Sequence, residues 1–475
     1  MNAEQAPARR LAVASPGGRW VLAATILGSG MAFLDTTVVT VALPSIAREL
    51  GGGLSLLQWV LDAYLLTLGA LVLTGGALGD LFGRDRVFLV GSAAFGVTSV
   101  LCGVAPTGTV LIIARLVQGV AASLLVPGSL AIVSTSFSAE ERGRAIGLWS
   151  GLSGLATVAG PFVGGLLVDH ASWRWVFLIN LPLALVTLLI GLRQLPAQEP
   201  GTRSLGERLD LGGTATSVLG LGFIVYALIE GPRLGFGHVL EVGALGLGAV
   251  LLIAFGVVEA RRDRPMLPLS LFRIRDFAVA NLTTLLVYAA LSVSTFLVVL
   301  ELQENSGYTA LGSGAALFPI TLLLLLLSPR MGALVGRVGP RRLMTLGPII
   351  AAVGLLLFAR ISGSASYASV VLPAAAVFGL GLSITVAPLT TTVLGAVPST
   401  RAGVASGVNN AVARLAGLLA VAAIPLAAGV PGTGTGAPLT SGFHHAMIIA
   451  AVLCFLGGVA SLAGLRSERR SPATA

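Results

Sequence analysis

The chain has 475 residues, of which 55% are hydrophobic and only 10% are charged. With a mean hydropathy of +0.94, this composition excludes a soluble globular domain, which needs more charged surface, and it indicates a polytopic membrane protein. The net charge of +9 comes from arginines in short loops without a continuous basic face, which excludes nucleic-acid recognition as their purpose. Cys102 and Cys454 both lie in apolar runs, so we expect buried thiols and neither a disulfide nor a metal site.

A polar arm, residues 1–19, precedes the first apolar run. That run contains Asp35 and is too long for a signal peptide, so we interpret it as a retained membrane helix. Apolar runs bounded by charges and by Gly or Pro turns predict fourteen spanning helices in an all-α fold. The predicted spans are residues 20–42, 56–78, 88–104, 110–131, 145–168, 175–193, 210–229, 239–259, 278–300, 311–331, 343–359, 367–390, 403–429 and 445–465.

The arginines also predict the orientation of the chain. With a cytoplasmic N-terminus, the inner loops and tails hold 23 arginines and the outer loops hold four, while Arg115 and Arg414 fall inside spans. An excess of basic residues marks cytoplasmic loops, and an error in the helix count would scramble the arginines between the two sides. We therefore predict a multi-pass protein of the bacterial cytoplasmic membrane with both termini in the cytoplasm.

One loop sequence occurs twice. The stretch GALGDLFGRDRVF at Gly76–Phe88 returns as GALVGRVGPRRLM at Gly332–Met344, after about eight helices. A parallel repeat of six helices with two more helices inserted explains this separation and surrounds a central path. The predicted division is an N-terminal arm at 1–19, a six-helix half at 20–193, a linker with two extra helices at 194–277, a second six-helix half at 278–465 and a tail at 466–475.

Three charged residues, Asp35, Asp62 and Arg115, lie inside predicted helices at a depth of roughly 8 to 10 Å below the outer surface. A charge in hydrocarbon costs at least about 2.5 kcal/mol, so each one indicates a function. A carboxyl group that exchanges a proton needs partial burial and a nearby cation, and this set supplies both. The alternatives are a static ion pair between Arg115 and one aspartate, and an interfacial position for Asp62 beside Gln58 and Trp59.

The fifth predicted helix has one face of small residues. Ala156, Gly160 and Gly164 recur every four residues, so a neighbouring helix can approach closely. Pro161 removes a backbone donor and bends the helix at that point. This face is typical of plain helix packing, and together with the bend it also suits an interface that rocks.

The first loop copy contains Gly76, Asp80, Gly83, Arg84 and Arg86. Its glycines allow a tight turn, and we interpret the acid beside two arginines as a gating latch for the helix ends. The alternative, a plain basic loop, would need neither the acid nor the glycine spacing. Because the second copy has a glycine in place of the acid, a latch that depends on the acid should be one-sided.

These motifs resemble those of the major facilitator superfamily, and specifically its fourteen-helix drug:proton antiporters, over essentially the whole chain. The loop GALGDLFGRDR is similar to the signature loop of the superfamily. The run RLVQG, with Arg115, Gln118 and Gly119, looks like the fourth-helix motif linked with proton transfer. The run GPFVGG at Gly160–Gly165 resembles the fifth-helix antiporter motif, with Pro161 and Gly164 inside it.

Two further stretches resemble the fourteen-helix branch: LDTTVVTVALP at Leu34–Pro44 and SWRWVFLINLP at Ser172–Pro182. The chain departs from the family pattern at Thr40, where the first-helix motif usually has asparagine, and at Asp85, where the loop usually continues basic. These departures leave the fold prediction intact and leave open the details of coupling and gating.

The resemblance implies alternating access driven by the proton gradient, with Asp35 as the protonation site, Arg115 tuning it and Asp62 attracting cations. We therefore expect a monomeric antiporter in the lipid bilayer that exports lipophilic, cationic or neutral, drugs or toxic compounds in exchange for protons. No cofactor, metal or nucleic acid is expected, and no group of loop residues combines the nucleophile and base of an enzyme. The alternatives are a dedicated exporter of one endogenous metabolite, such as an antibiotic or siderophore, and a non-transporting membrane receptor or scaffold.

Overall fold

The computed structural model describes residues 11–196, 210–235, 237–262, 265, 267–398, 401–430 and 439–466. Within these residues, fourteen helices are long and apolar enough to cross a membrane, so the predicted fold class and helix count are confirmed. The helices are α1 Pro16–Leu50, α2 Gly53–Phe82, α3 Arg84–Gly103, α4 Gly108–Ser136, α5 Ala139–His170, α6 Trp175–Gln194, α7 Leu211–Leu234, α8 Val239–Arg261, α9 Arg275–Glu304, α10 Ala310–Val338, α11 Pro340–Phe358, α12 Tyr367–Gly395, α13 Ala402–Ala427 and α14 Leu439–Gly464.

The helix ends extend several residues beyond most of the predicted spans. The first helix begins at Pro16, inside the predicted arm, where the Ser15 side chain accepts a hydrogen bond from a backbone N–H of the first turn. Before this cap, Leu11 donates its backbone N–H to the Ser136 carbonyl at the end of α4 at 2.8 Å. Residues 1–10 of the arm and 467–475 of the tail lie outside the described residues.

Both copies of the repeated loop fold into the same turn. Gly83 lies between α2 and α3 with a φ of 98°, and Gly339 lies between α10 and α11 with a φ of 84°. A side chain strains this left-handed conformation, whereas glycine adopts it readily. The chain therefore reverses direction within one residue at both places, as the glycine-rich sequence predicts.

The packing of the helices also repeats. In α1–α6, the main contacts join α1 to α5 and α6, α2 to α4, and α3 to α4 and α6. In α9–α14, they join α9 to α13 and α14, α10 to α12, and α11 to α12 and α14. Each pairing in the first unit has its counterpart eight helices later, which is the pattern that a parallel duplication produces.

The two additional helices lie beside these units. An apolar cluster joins α7 to α2 and to α13, so α7 contacts both six-helix units, and α8 packs on α7. Trp59 on α2 donates to Glu230 on α7 at 3.0 Å, and Thr74 on α2 and Thr214 on α7 share a hydrogen bond of the same length. These contacts follow α2 along most of its length. The cluster consists of Leu66, Leu221, Val225, Ile229, Leu418 and Ala422.

The two six-helix units contact each other along α2 and α13, and at one membrane face they also meet between α1 and α5 on one side and α9 and α10 on the other. We call the face at which α1 begins and α14 ends the terminal face, and the other one the opposite face. At the opposite face, the Asp169 carboxylate at the end of α5 accepts hydrogen bonds from the backbone N–H groups of Ala310 at 3.0 Å and Leu311 at 2.8 Å. Gln303 on α9 donates to the Val41 carbonyl on α1 at 3.0 Å.

One face of α5 shows that the units separate toward the terminal face. Near the opposite face it contacts α10, where a Cβ on Gly314 would lie only 2.5 Å from the Pro161 carbonyl oxygen. Toward the terminal face, a Cβ added at Gly147, Gly151 or Gly154 would meet no atom within 4 Å. Because residues three, four and seven apart share a helix face, the side of α5 that contacts α10 near the opposite face has no neighbour within the described residues toward the terminal face. We call this space between α5 and α10 the cleft.

Candidate functional site

A buried ion pair lies at the centre of the first unit. Asp35 on α1 and Arg115 on α4 are both fully buried, and Arg115 Nη1 lies 2.5 Å from Asp35 Oδ2. The structure thus joins two of the three charged residues that the sequence places at one depth. Such a pair holds both charges in the membrane interior because each neutralises the other.

Polar side chains complete the coordination of the Asp35 carboxylate. The amide nitrogens of Gln118 and Asn180 lie 3.2 Å and 3.3 Å from Asp35 Oδ1, and both also donate to Ser99 Oγ. Arg115 Nη1 donates a second hydrogen bond to the Gln118 side-chain oxygen at 2.7 Å. Helices α1, α3, α4 and α6 therefore meet at one hydrogen-bond network, which we call the Asp35 network.

The guanidinium of Arg115 is held from two more directions. Its Nε donates to the Val60 carbonyl on α2 at 2.9 Å, and its Cζ lies 4.2 Å from the ring centroid of Tyr64 on the same helix. The Tyr64 hydroxyl donates to the Ala32 carbonyl at 3.3 Å. Arg115 therefore links α4, which carries it, to α1 through Asp35 and to α2 through Val60 and Tyr64.

Asp62 does not join the Asp35 network. Its side chain is fully buried, and within the described residues neither carboxylate oxygen has a hydrogen-bond partner. One turn earlier on the same face of α2, Gln58 donates to the Val421 carbonyl on α13 at 2.7 Å. Asp62 therefore lies on the α2 face that meets the second unit, and its burial argues against the alternative of a wet interfacial position.

The small face of α5 packs as the sequence predicts. A Cβ at Gly160 would lie 1.9 Å from Thr37 Oγ1, and one at Gly164 would lie 3.0 Å from a backbone oxygen of α1. Gly165 faces the second unit, where a Cβ would lie 2.3 Å from Leu311 Cα. Two faces of the same helix thus approach α1 and α10 at backbone distance.

The predicted gating loop forms an ion pair at the terminal face. Arg84 Nη2 lies 2.8 Å from Asp80 Oδ1, one helical turn earlier, and Arg84 Nη1 lies 3.5 Å from the Ala131 carbonyl near the end of α4. Gly76 packs near α4 one turn before the acid, and Arg86 is exposed. The loop residues thus connect α2, α3 and α4 of one unit.

The contacts between the units at the opposite face were not predicted. Asp169 and Gln303 make them. The buried Glu301 accepts hydrogen bonds from Asn305 at 2.8 Å and Thr440 at 3.0 Å, and these bonds stay within the second unit. Polar residues at the ends of apolar runs are common at membrane interfaces. Their role here depends on which helix ends meet, and no local sequence signal contains that information.

The chain matches the family model described as Major Facilitator Superfamily over residues 25–421. Among named proteins, it is 37% identical to multidrug resistance protein Stp of Mycobacterium tuberculosis, over 82% of this chain and 72% of that protein. It is 37% identical to puromycin resistance protein pur8 of Streptomyces alboniger, over 85% and 80% of the two chains. It is 34% identical to the methylenomycin A resistance protein of Streptomyces coelicolor, over 95% and 94%.

Solved structures share the fold at low sequence identity. A crystal structure of peptide transporter POT in complex with sulfate aligns with a TM-score of 0.71 at 15% identity, over 96% of each chain. A POT family transporter in complex with a thioalcohol-conjugated peptide aligns with a TM-score of 0.70 at 14% identity, over 92% of this chain and 94% of that one. These similarities support the arrangement of the helices and carry no information about the cargo.

Proposed function

The chain belongs to the Major Facilitator Superfamily, and from this premise we propose that it is a proton-coupled antiporter that exports lipophilic drugs or toxic compounds across the bacterial cytoplasmic membrane. Relatives that are named as multidrug and antibiotic resistance proteins support export as the activity. The activity is movement of cargo without chemical conversion. The proton gradient supplies the energy, and the path lies within one chain, so a monomer suffices.

The observation that carries the proposal is the buried Asp35–Arg115 pair. When Asp35 gains a proton, its carboxylate charge disappears and the attraction that holds Arg115 at 2.5 Å weakens. The arginine then remains attached to α2 through Val60 while its bond to α1 is lost. Protonation therefore changes the balance between two arrangements of α1 relative to α2 and α4, and a proton can drive the cycle in this way.

The direction of transport depends on the predicted orientation. With both termini in the cytoplasm, the cleft opens to the cytoplasm, and the contacts of Asp169 and Gln303 close the outer side. Cargo enters the cleft from the cytoplasm or the inner leaflet in this state. Protonation of Asp35 from the outside then promotes release, and the glycine-rich faces of α5 provide the surface on which the units rock.

Inverted membrane vesicles that contain the protein test this proposal. Ethidium and a panel of lipophilic compounds are added, and cargo-induced proton movement is followed with a pH-sensitive dye. We expect proton release with wild type and none with Asp35→Asn, which keeps an acceptor oxygen for Arg115 but cannot exchange the proton. Glu304→Gln, a change at an exposed acid at the end of α9, serves as the matched control. Full proton-driven transport by inserted, folded Asp35→Asn would reject the assignment.

The relatives also favour a second candidate. The names of two relatives refer to resistance to one compound each, puromycin and methylenomycin A. The chain is therefore also a candidate for a dedicated exporter of one metabolite that the same cell makes. The number of compounds that cause proton release separates the two candidates. A multidrug antiporter responds to several unrelated compounds, and a dedicated exporter responds to none or one.

A further inference from the structure

Arg414 is a charged residue inside the membrane that has no role in the proposed transport cycle. Arg414 lies near the midpoint of α13, far from both ends of that helix. Among the described residues, it forms no ion pair with a carboxylate and no hydrogen bond. An isolated arginine at the centre of a membrane helix costs about 2.5 kcal/mol or more, so it is retained where it serves a function or faces a water-filled cavity.

The surroundings of Arg414 place it between the two six-helix units. A Cβ on Gly69 of α2 would lie 3.4 Å from Arg414 Cβ, and the next turn of the same α13 face, at Gly417, packs against Ser292 of α9. One turn before Arg414 on the same face, Asn410 is exposed. The arginine therefore lies where α13 passes between α2 and α9, at mid-membrane depth.

No acid of the described chain neutralises this charge. Asp35 is already bound to Arg115, and the oxygens of Asp62 have no partner within the described residues. A cation held in this way between two units lacks the anion that would complete the site.

We propose that Arg414 binds an anionic group of the cargo, a carboxylate or an ionised phenol. The cargo then includes lipophilic weak acids. This inference rests on the proposed export function, and it differs from the expectation of cationic or neutral cargo, which considered the membrane acids and not this arginine. The planar guanidinium can donate two parallel N–H bonds to a carboxylate, which a lysine cannot.

Binding to the purified protein in detergent tests the charge preference without a proton gradient. The probes are pyrenebutyric acid and its methyl ester, which share the apolar body and differ in charge, with fluorescence anisotropy as the readout. We expect wild type to bind the acid at least about tenfold more tightly than the ester. Arg414→Gln should lower acid affinity about tenfold and leave ester affinity unchanged. Arg360→Gln, at an exposed arginine, is the matched control.

A more conservative variant guards against misfolding. Arg414→Lys keeps the charge and loses the two parallel N–H donors of the guanidinium. It should therefore weaken acid binding by about two- to fivefold and leave ester binding unchanged. Equal binding of acid and ester by wild type overturns the proposal, as does an acid preference that survives Arg414→Gln or an equal effect of Arg414→Lys on both probes. Restoration of the acid preference in Arg414→Gln by Asp62→Asn also overturns it, because the arginine would then act as the counter-ion of Asp62.

Ethidium-induced proton release separates this proposal from the antiporter itself. If wild type releases protons but shows no acid preference, only the anion site is rejected. If wild type releases no protons with any compound, the multidrug antiporter is rejected, and a tenfold acid preference that depends on Arg414 still supports the site.

Discussion

At the scale of single residues, the two buried aspartates have opposite surroundings. Asp35 accepts hydrogen bonds from Arg115, Gln118 and Asn180, whereas Asp62 has no partner within the described chain. Breaking a buried ion pair leaves one charge uncompensated and is strongly destabilising, while removing an unpartnered carboxylate is not. The two positions should therefore respond differently to the same substitution.

We expect Asp35→Ala to destabilise the protein by about 3 to 5 kcal/mol, because Arg115 stays buried without its acid. Asp62→Ala should keep or raise the unfolding temperature, since no hydrogen bond within the described residues is lost. Thermal unfolding in detergent measures both. A similar drop for the two variants would show that Asp62 has a partner in solution.

The amide of Gln118 positions the ion pair and does not itself exchange a proton. It contacts both partners, so Gln118→Leu should reduce proton release with ethidium about tenfold, as expected for one lost hydrogen bond to a charged group. Gln118→Glu restores an acceptor for Arg115 and should shift the pH dependence of transport. An unchanged pH profile in both variants would leave Gln118 with a packing role alone.

At the scale of helices, α5 combines a packed face with a free one. A Cβ at Gly160 would collide with Thr37 Oγ1 of α1 at 1.9 Å, so Gly160→Ala should destabilise the protein by about 1 to 3 kcal/mol. The matched control is Gly243→Ala on α8, where an added Cβ meets no atom within 4 Å and the helix gains about 1 kcal/mol in propensity. Equal unfolding temperatures for the two variants would contradict the close contact of α1 and α5.

The helices are also the level at which the sequence is most informative. Long apolar runs, glycine turns and the asymmetric placement of arginine predict all fourteen helices, because a bilayer requires about 20 apolar residues per span and satisfied backbone groups throughout. The depth of Asp35, Asp62 and Arg115 could indicate an ion pair between the arginine and one aspartate, but depth could not decide between the two acids. The link of Arg115 with Asp35 comes from the family resemblance. These signals are local, and so they can be read from one chain.

The remaining contacts depend on long-range arrangement. Asp169 contacts α10 and Arg414 faces α2 and α9, yet neither residue is marked by its neighbours in sequence. An apolar run has the same composition whether it faces lipid, another helix or a cleft, so hydropathy cannot identify the residues that line the path. The division into two six-helix halves and a linker at the stated bounds stays a prediction. The roles of the site residues also stay predictions, and the transport experiments above test them.

At the scale of the whole molecule, the contacts of Asp169 hold the opposite face closed. Asp169→Ala removes two hydrogen bonds from backbone N–H groups of α10 to a carboxylate. Each such bond contributes about 1.5 kcal/mol or more, so the population should shift at least tenfold toward a state that is open at the opposite face. Spin labels at His170 and Glu304, both exposed, report the opening as a longer distance between the ends of α5 and α9. An unchanged distance distribution would show that other contacts keep this face closed.

The two six-helix units border each other along two lines, α2 with α13 and α5 with α10, and the position of α7 makes these two lines different. Along the line of α2 and α13, α7 lies against both helices and shields it from the surrounding lipid, whereas α7 makes no comparable contact with α5 or α10 within the described residues. A hydrophobic molecule dissolved in the membrane therefore finds one flank of the protein shut and the other uncovered. Entry of cargo from the lipid should therefore be restricted to the α5–α10 flank, so the protein takes up membrane-dissolved compounds from one side only.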